Sequence, residues 1–458
     1  MSSTLKVDLD LIQKYNVPGP RYTSYPPATH FTEETKRDDV ADAIAANNAK
    51  PRDLSLYFHL PFCETLCWFC GCTTVITTDH KQSTPYLDLI ELELDSMQKR
   101  LHRDRPVVQM HLGGGTPTFM QPEELLRLGQ MIKKRFRLAA DVEAGTELDP
   151  RRLTRFHIEA LREAGFNRAS MGVQDNNAKV QEAIHRIQPF EMTQQAVEWL
   201  RELEFQSLNI DLIYGLPFQT VESFDKTIDE VLTLSPDRFA IFSYAHVPWI
   251  KPAQKILQQK ILPSPETKLQ LLKLTIEKLT SSGYVYIGMD HFAKVTDELA
   301  VAQKNKTLQR NFQGYSTRGQ ADIYAFGMSS ISQADGVYWQ NLKELPEYQK
   351  AVKEGDWPYH RGYVMTAEDK LRRTTIMRLM CDLELNYGQM SNLLGLDFHE
   401  HFETDIASLD DMEADELIQR SETGLKVTDL GRLLIRNIAM RFDAYAGERK
   451  EARFSKTI

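Results

Sequence analysis

The chain has 458 residues, of which 42% are hydrophobic and 26% charged, with a formal net charge of −9. That is apolar sequence enough for a large core or for two to three domains. The acidic balance lacks the basic footprint of a protein whose main partner is nucleic acid. Four of the five cysteines lie between positions 63 and 72, which is not a disulfide scaffold, and no apolar run is long enough to cross a bilayer. The opening residues carry acids and no signal-peptide pattern, so a cytoplasmic location is expected.

Residues 1–50 read as an N-terminal arm. Its run Pro18-Gly-Pro-Arg-Tyr-Thr-Ser-Tyr-Pro-Pro27 is too rich in Pro and Gly for a helix, and its aromatic and Arg content suggests packing against something. From residue 54 a strand–helix rhythm begins. Leu54 to Leu60 reads as a strand and the cysteine loop follows. Pro85 opens a helix after Ser83-Thr84, with Leu87, Ile90, Leu94, Met97 and Leu101 at helical spacing. Val107 to Leu112 is the next strand, ending in Gly113-Gly-Gly-Thr-Pro117, and residues 122–135 are helical. Val142 to Leu148, Arg168 to Val173, Leu208 to Tyr214 and Arg238 to Tyr244 read as strands with helices between most of them. Glu266 to Leu279 reads as a helix and Tyr284 to Gly288 as a candidate seventh strand.

Such βα alternation means a parallel sheet with helices outside. The pattern allows a doubly wound sheet or a barrel. Polar and Gly residues at the C-terminal ends of the strands favour the barrel, whose site lies at that rim. Six units make it an incomplete (βα)6 TIM-like barrel, open on one side, as suits a large substrate. Residues 303–320 read as a polar loop and Trp357-Pro358 as a linker. Beyond it, Glu368 to Leu383 and Leu430 to Arg441 read as amphipathic helices, with Gly424 to Gly431 a short wing before the second. The expected domains are therefore an arm over 1–50 that covers the active site, a barrel with a substrate loop over 51–360, and a mostly α-helical, winged-helix-like domain over 361–458. Cys381 reads as a buried small apolar residue.

Cys63, Cys67 and Cys70 have the spacing C-x3-C-x2-C, and Cys72 follows at once. Structural zinc takes two separated pairs of ligands, and no second pair exists here, so an iron–sulfur cluster is expected over zinc. Cys72 could be the fourth ligand, although Cys70-Gly-Cys72 is a tight reach for two corners of one cube. The alternative leaves the fourth iron open to a small molecule. The run Gly113-Gly-Gly115 lets backbone approach a ligand closely, or merely makes a tight βα turn. Without Gly-Lys-Ser/Thr after it, it is no P-loop. Glu147 and Asp211 end strands at the rim, where a carboxylate accepts an ammonium or hydroxyl, or simply caps a helix. Arg186 is either a carboxylate partner or an exposed helix arginine, and His291 either a substrate contact or a structural histidine.

The cysteine loop after the first strand, with Phe69 before the third cysteine, resembles that of the radical S-adenosylmethionine enzymes. Within that superfamily the chain is similar to a porphyrinogen-oxidising branch from about residue 8 onward. The similarity is carried by Gly19-Pro-Arg-Tyr-Thr-Ser-Tyr-Pro26, Tyr57-Phe-His-Leu-Pro-Phe-Cys63, Cys70-Gly-Cys72, Gly113-Gly-Gly-Thr-Pro-Thr118, Met171-Gly-Val-Gln-Asp175, Asn209-Ile-Asp-Leu-Ile-Tyr-Gly-Leu-Pro217, Gly288-Met-Asp-His-Phe-Ala293 and Arg310-Asn-Phe-Gln-Gly-Tyr315.

The resemblance implies that Cys63, Cys67 and Cys70 hold a 4Fe–4S cluster. It also implies two S-adenosylmethionine molecules, contacted by Tyr57, Gly114, Glu147 and Ile331, and by Phe69, Cys72, Gly115, Thr116, Gln174, Arg186, Asp211 and Ala245. The implied reaction uses a 5′-deoxyadenosyl radical to abstract hydrogen from the β-carbon of a substrate propionate. Loss of carbon dioxide and an electron then leaves a vinyl group, twice over, turning coproporphyrinogen III into protoporphyrinogen IX. A low-potential electron donor and a monomeric state go with it. The substrate's carboxylates need local cations, for which Arg21, Arg310 and His291 are the candidates. Haem-delivery relatives that bind the cluster without decarboxylating are the alternative, but they typically lack the N-terminal arm and Cys72, both present here. A zinc-stabilised winged-helix regulator is a third class, and would be colourless.

Overall fold

The computed structural model describes residues 5–102, 104–257 and 261–446, so the extreme ends of the expected arm and C-terminal domain lie outside the described residues. The compact units are discontinuous in sequence. One comprises 31–264 and 320–364, the other 1–30, 265–319 and 365–458.

In the first unit, the strands β1 (Leu54–Leu60), β2 (Val107–Gly114), β3 (Leu138–Leu148), β4 (Arg168–Gln174), β5 (Ser207–Tyr214) and β6 (Arg238–Ser243) pair in parallel in simple sequential order. The crossovers carry α1 (Ser83–Gln98), α2 (Pro122–Arg135), α3 (Arg155–Ala164), α4 (Ala178–Ala183), α5 (Phe190–Glu202) and α6 (Val221–Thr233). A doubly wound sheet reverses its strand order partway across; over these six strands the order does not reverse. With right-handed crossovers, unreversed order puts every helix on one face and leaves the other as the lumen of a curled sheet. The barrel reading therefore holds over the doubly wound one.

Local sequence sets these boundaries. Pro122 sits at the first turn of α2, where its missing N–H costs nothing, and α3 ends at Gly165 in the left-handed region, φ 109°. The β1 residues are buried on both faces except Tyr57, as a central parallel strand requires.

The sheet extends further than six strands. β7 (Asp322–Phe326) lies parallel on the other edge of β1, with Leu54 opposite Asp322 and Phe58 opposite Phe326. β8 (Ile331–Ala334), β9 (Val337–Asn341) and β10 (Tyr359–Val364) continue it antiparallel. Trp357-Pro358 is accordingly not a linker. Trp357 is buried edge-on to Trp339 at 5.9 Å, and the Pro358 carbonyl accepts the Leu342 amide at 2.8 Å. Pro and Gly in this stretch masked a sheet edge.

The second unit is built on the long helices Pro265–Ser281 and Ala367–Asp382. Tyr284–Gly288 is not a further βα repeat; it pairs antiparallel with His291–Lys294. The expected polar loop contains a second hairpin, Gln309–Asn311 with Gly314–Ser316. The wing is a small sheet in which Gly424–Val427 pairs with both Glu384–Asn386 and Ile418–Ser421. The final helix is broken into a 3-10 turn, Gly431–Leu434, and Ile435–Met440. Tyr22 and Tyr25 of the N-terminal segment are buried in the same core as Ile376, Phe398, Phe402 and Ile438. Cys381 is buried as expected, and burial pushes its thiol up to about 12.

Candidate active site

β1 hands the chain directly into the cysteine loop. Phe62–Cys63 pairs in parallel with Val75–Ile76, which closes the loop at its base. Within it the Cys70 amide donates to the Cys67 carbonyl at 3.0 Å, a turn that fixes these two cysteines relative to each other. Three neighbours tie it down: the Trp68 amide donates to the Ile184 carbonyl, Gln254 to the Phe69 carbonyl and Lys251 to the Cys72 carbonyl, at 3.0, 3.0 and 2.8 Å. Phe69 packs on an apolar cluster of Val180, Ile184, Ile213, Leu216, Tyr244 and Leu257.

Cys67 is buried, Cys63 and Cys70 are half-buried and Cys72 is exposed. The Cys63 sulfur and the Thr116 hydroxyl are 3.3 Å apart. Burial pushes the Cys63 thiol up to about 11, whereas hydrogen bonding from Cys72 brings Cys70 down to about 6. Zinc would draw its sulfurs to about 2.3 Å from one point; an iron–sulfur cube spreads them over separate corners. Three thiols on one short, anchored loop, in reach of cationic donors, fit the cube.

The glycine turn after β2 fits against this loop. A Cβ on Gly115 would meet the backbone oxygens of Pro61 and Phe62 at 2.5 and 2.7 Å, so only glycine lets the two turns touch. The Thr116 amide donates to the Phe62 carbonyl at 2.9 Å. Gly114, at φ 110°, abuts the His59 ring and donates its amide to Glu147 Oε2 at 3.3 Å.

One face of the sheet carries a polar row. Tyr57 lies beside His111 in register, their rings stacked at 6.0 Å, and His111 Nε2 is 3.5 Å from Glu147 Oε1. His59 Nε2 donates to the Thr73 carbonyl at 2.9 Å, which leaves Nδ1 to accept the Tyr57 hydroxyl at 3.3 Å. Burial lowers the His59 pKa and keeps the ring neutral. Ser329, two residues before Ile331, places its hydroxyl 3.4 Å from the same ring. Further round, Asp211 accepts Asn209 Nδ2 at 2.7 Å and the Ser170 hydroxyl at 3.1 Å. Burial and the nearby Glu147 carboxylate push Asp211 up to about 7.

Tyr57, Gly114 and Glu147 are thus in one constellation. Gln174 is buried at the end of β4, Ala245 is exposed just past β6, and Ile331 opens β8 opposite Gln340. Arg186 is not an exposed helix arginine. It is buried, with Nε on Gln188, Nη2 on the Gly172 carbonyl and Nη1 on Asp149. In the second unit, Arg21 pairs with Asp290. Arg310 donates Nε and Nη2 to the Arg21 carbonyl at 3.3 and 3.2 Å, and it lies over the Tyr315 ring that His291 meets edge-on.

Sequence reasoning missed His59, His111, Asp149 and Arg151. The first was within reach, since His59 shares the strand face of Tyr57 at period two. His111 likewise stands two residues before Gly113. Asp149 and Arg151 follow the end of β3 and gave no motif.

A parallel curled sheet with three cysteines on the loop after β1 defines a radical S-adenosylmethionine domain, and the family model of the radical SAM superfamily matches residues 57–231. A second model, the HemN C-terminal domain, matches residues 365–434. Curated relatives match over nearly the whole chain: the oxygen-independent coproporphyrinogen III oxidase of Synechocystis is 43% identical over 460 residues, covering 99% of each chain. That of Escherichia coli K12 is 44% identical over 452 residues, covering 98% of each. The solved structure of coproporphyrinogen III oxidase (HemN) from Escherichia coli superposes with a TM-score of 0.92 at 43% identity, covering 97% of this chain and 100% of that one. The chain belongs to the oxygen-independent coproporphyrinogen III oxidases.

Proposed function

We propose that the chain converts coproporphyrinogen III to protoporphyrinogen IX without oxygen, by oxidative decarboxylation of two propionate side chains to vinyl groups in haem biosynthesis. The observation that carries the reading is the C-x3-C-x2-C loop fastened to the end of β1 in a chain similar to such oxidases along its length. Cys63, Cys67 and Cys70 would hold a 4Fe–4S cluster, leaving one iron for S-adenosylmethionine. When bound, the two supply hydrogen-atom abstraction from an unactivated C–H bond.

The chain's own residues bind and orient. Tyr57, Gly114, Glu147 and Ile331 would line one cofactor position, where Glu147 already accepts the Gly114 amide and is shaped to take an ammonium as well. Phe69, Cys72, Gly115, Thr116, Gln174, Arg186, Asp211 and Ala245 would contact the cofactor likewise, the positions dividing between two molecules. The Arg186 nitrogens are already engaged within the protein, so its contribution there is electrostatic. No strong base is required, because a propionate already carries its leaving charge. Arg21 would meet a substrate carboxylate, its side chain 38% exposed beside Asp290, while Arg310 and His291 support the segment that presents it. A low-potential donor would supply electrons to a monomer in the cytoplasm.

The test is anaerobic incubation with dithionite, S-adenosylmethionine and coproporphyrinogen III. Vinyl product with matching 5′-deoxyadenosine supports the enzyme. Haem binding without either product supports a carrier instead.

A further inference from the structure

Cys67 differs from the other thiols in its surroundings. Two guanidinium groups point at its sulfur: Arg151 Nη2 at 3.4 Å and Arg186 Nη1 at 3.6 Å. Between them sits one carboxylate. Asp149 Oδ2 accepts Arg151 Nη2 at 2.6 Å and Arg186 Nη1 at 3.1 Å, and its Oδ1 accepts the Arg151 amide and Nε at 3.1 and 3.0 Å. Burial pushes the Asp149 carboxyl up, but the two guanidiniums outweigh it and bring it to about 2, so it stays ionised. The cluster of side chains therefore places one net positive charge against the sulfur. Arg186 is committed elsewhere, to Gln188 and the Gly172 carbonyl. Among the described residues Arg151 is committed to Asp149 and Cys67 alone, and its planar fork is fixed by the turn that Asp149 makes with its amide.

Arg151 also stands at a boundary. A cavity of about 280 Å³ is lined by Cys63, Thr116, Asp149, Arg151, Arg152 and His185, among others, while Cys67 does not line it. The arginine thus lies between the buried sulfur and the solvent side of the loop.

We infer that Arg151 is a positioning residue that raises the reduction potential of the cluster by donating an N–H and a positive charge to the Cys67 sulfur. This rests on the reading that Cys63, Cys67 and Cys70 hold a 4Fe–4S cluster. Reduction adds one electron to the cluster, and its sulfurs become more negative. A charged donor is worth more to that state than to the oxidised one, so it favours electron uptake. Asp149 opposes the effect and aims the arginine.

The experiment is an anaerobic redox titration of the loaded protein without S-adenosylmethionine, following the EPR signal of the reduced cluster. Arg151→Met fills the same space without charge or donor. At a fixed potential it should show a roughly tenfold lower ratio of reduced to oxidised cluster, equivalent to about 59 mV for one electron. Arg151→Lys keeps the charge without the fork and should shift less in the same direction. Asp149→Asn removes the opposing charge and should shift the other way. Iron and sulfide analysis accompanies each variant, and if Arg151→Met takes up no cluster, the Lys and Asn variants carry the test. Unchanged potentials, or the Arg151 and Asp149 variants moving in the same direction, would overturn the inference. A wild-type protein that takes up no iron would instead overturn the reading of the cysteines.

Discussion

The His59 ring fills the space where Gly114 would carry a side chain: a Cβ there would lie 2.6 Å from both Cε1 and Nδ1 of the imidazole. The glycine turn and β1 are therefore fitted to each other before any ligand arrives. Gly114→Ala must push His59 out of its bonds to Tyr57 and Thr73 and must also accept φ 110°. The expected result is S-adenosylmethionine binding weakened at least tenfold with iron content retained. Gly115→Ala should do the reverse first and lower iron content, because its methyl meets the rigid backbone of Pro61 and Phe62. Equilibrium dialysis and iron analysis separate the two; identical losses would contradict the division.

Asp211 gives a pH dependence with a definite sign. Its carboxyl, pushed up to about 7 chiefly by burial, must be ionised to accept an ammonium or a hydroxyl. Cofactor affinity should then fall as pH drops through 7, approaching tenfold per unit below it. In Asp211→Asn the affinity should be lower and this slope lost. Dialysis between pH 5.5 and 8 checks both.

Glu93 in α1 is fully buried. Its oxygens accept the Gly327 amide at 2.8 Å, the Tyr348 hydroxyl at 2.7 Å and Asn341 Nδ2 at 2.6 Å. Burial outweighs these bonds and pushes the carboxyl from 4.5 up to about 7. The folded state thus binds the proton more tightly than the unfolded chain. The resulting stability is complete below about pH 4.5 and is lost as pH rises through 7, amounting to roughly 3 kcal/mol. Urea unfolding of the metal-free protein at pH 5 and pH 8 should show this loss in the wild type and a much flatter response in Glu93→Gln.

How much of this was legible in the sequence differs from region to region. The βα alternation up to β6 could be read because each strand is a short apolar run and each helix keeps its own spacing. The cysteine loop and the glycine turn could be read because their chemistry is local. β7 to β10 could not: Asp322–Phe326 is a five-residue strand whose place beside β1 depends on partners more than 260 residues away. Trp357-Pro358 looked like a break because a sheet edge tolerates Pro and Gly where an interior strand does not. The Arg151–Asp149–Arg186 arrangement is assembled from two different crossovers, and nothing in either stretch marks it.

Four carbonyls of the N-terminal segment help to fasten it within its own unit, beside its buried tyrosines. Arg436 donates to those of Gly19 and Pro20, Arg310 to that of Arg21 and Asn437 to that of Tyr15. Arg436→Ala leaves two of these carbonyls without their charged donor, at a cost of about 3 kcal/mol. Limited proteolysis within residues 14–27 should accelerate markedly in this variant while iron content stays unchanged.

The central claim is that three cysteines grip the cluster and one iron is left for the cofactor. Mössbauer spectroscopy of anaerobically loaded protein, with and without S-adenosylmethionine, tests it most directly, with Cys72→Ser as the control. Four irons per chain are expected, one of them changing its signal on cofactor addition, and Cys72→Ser should keep all four. Four equivalent irons that ignore the cofactor, or loss of the cluster in Cys72→Ser, would contradict the account.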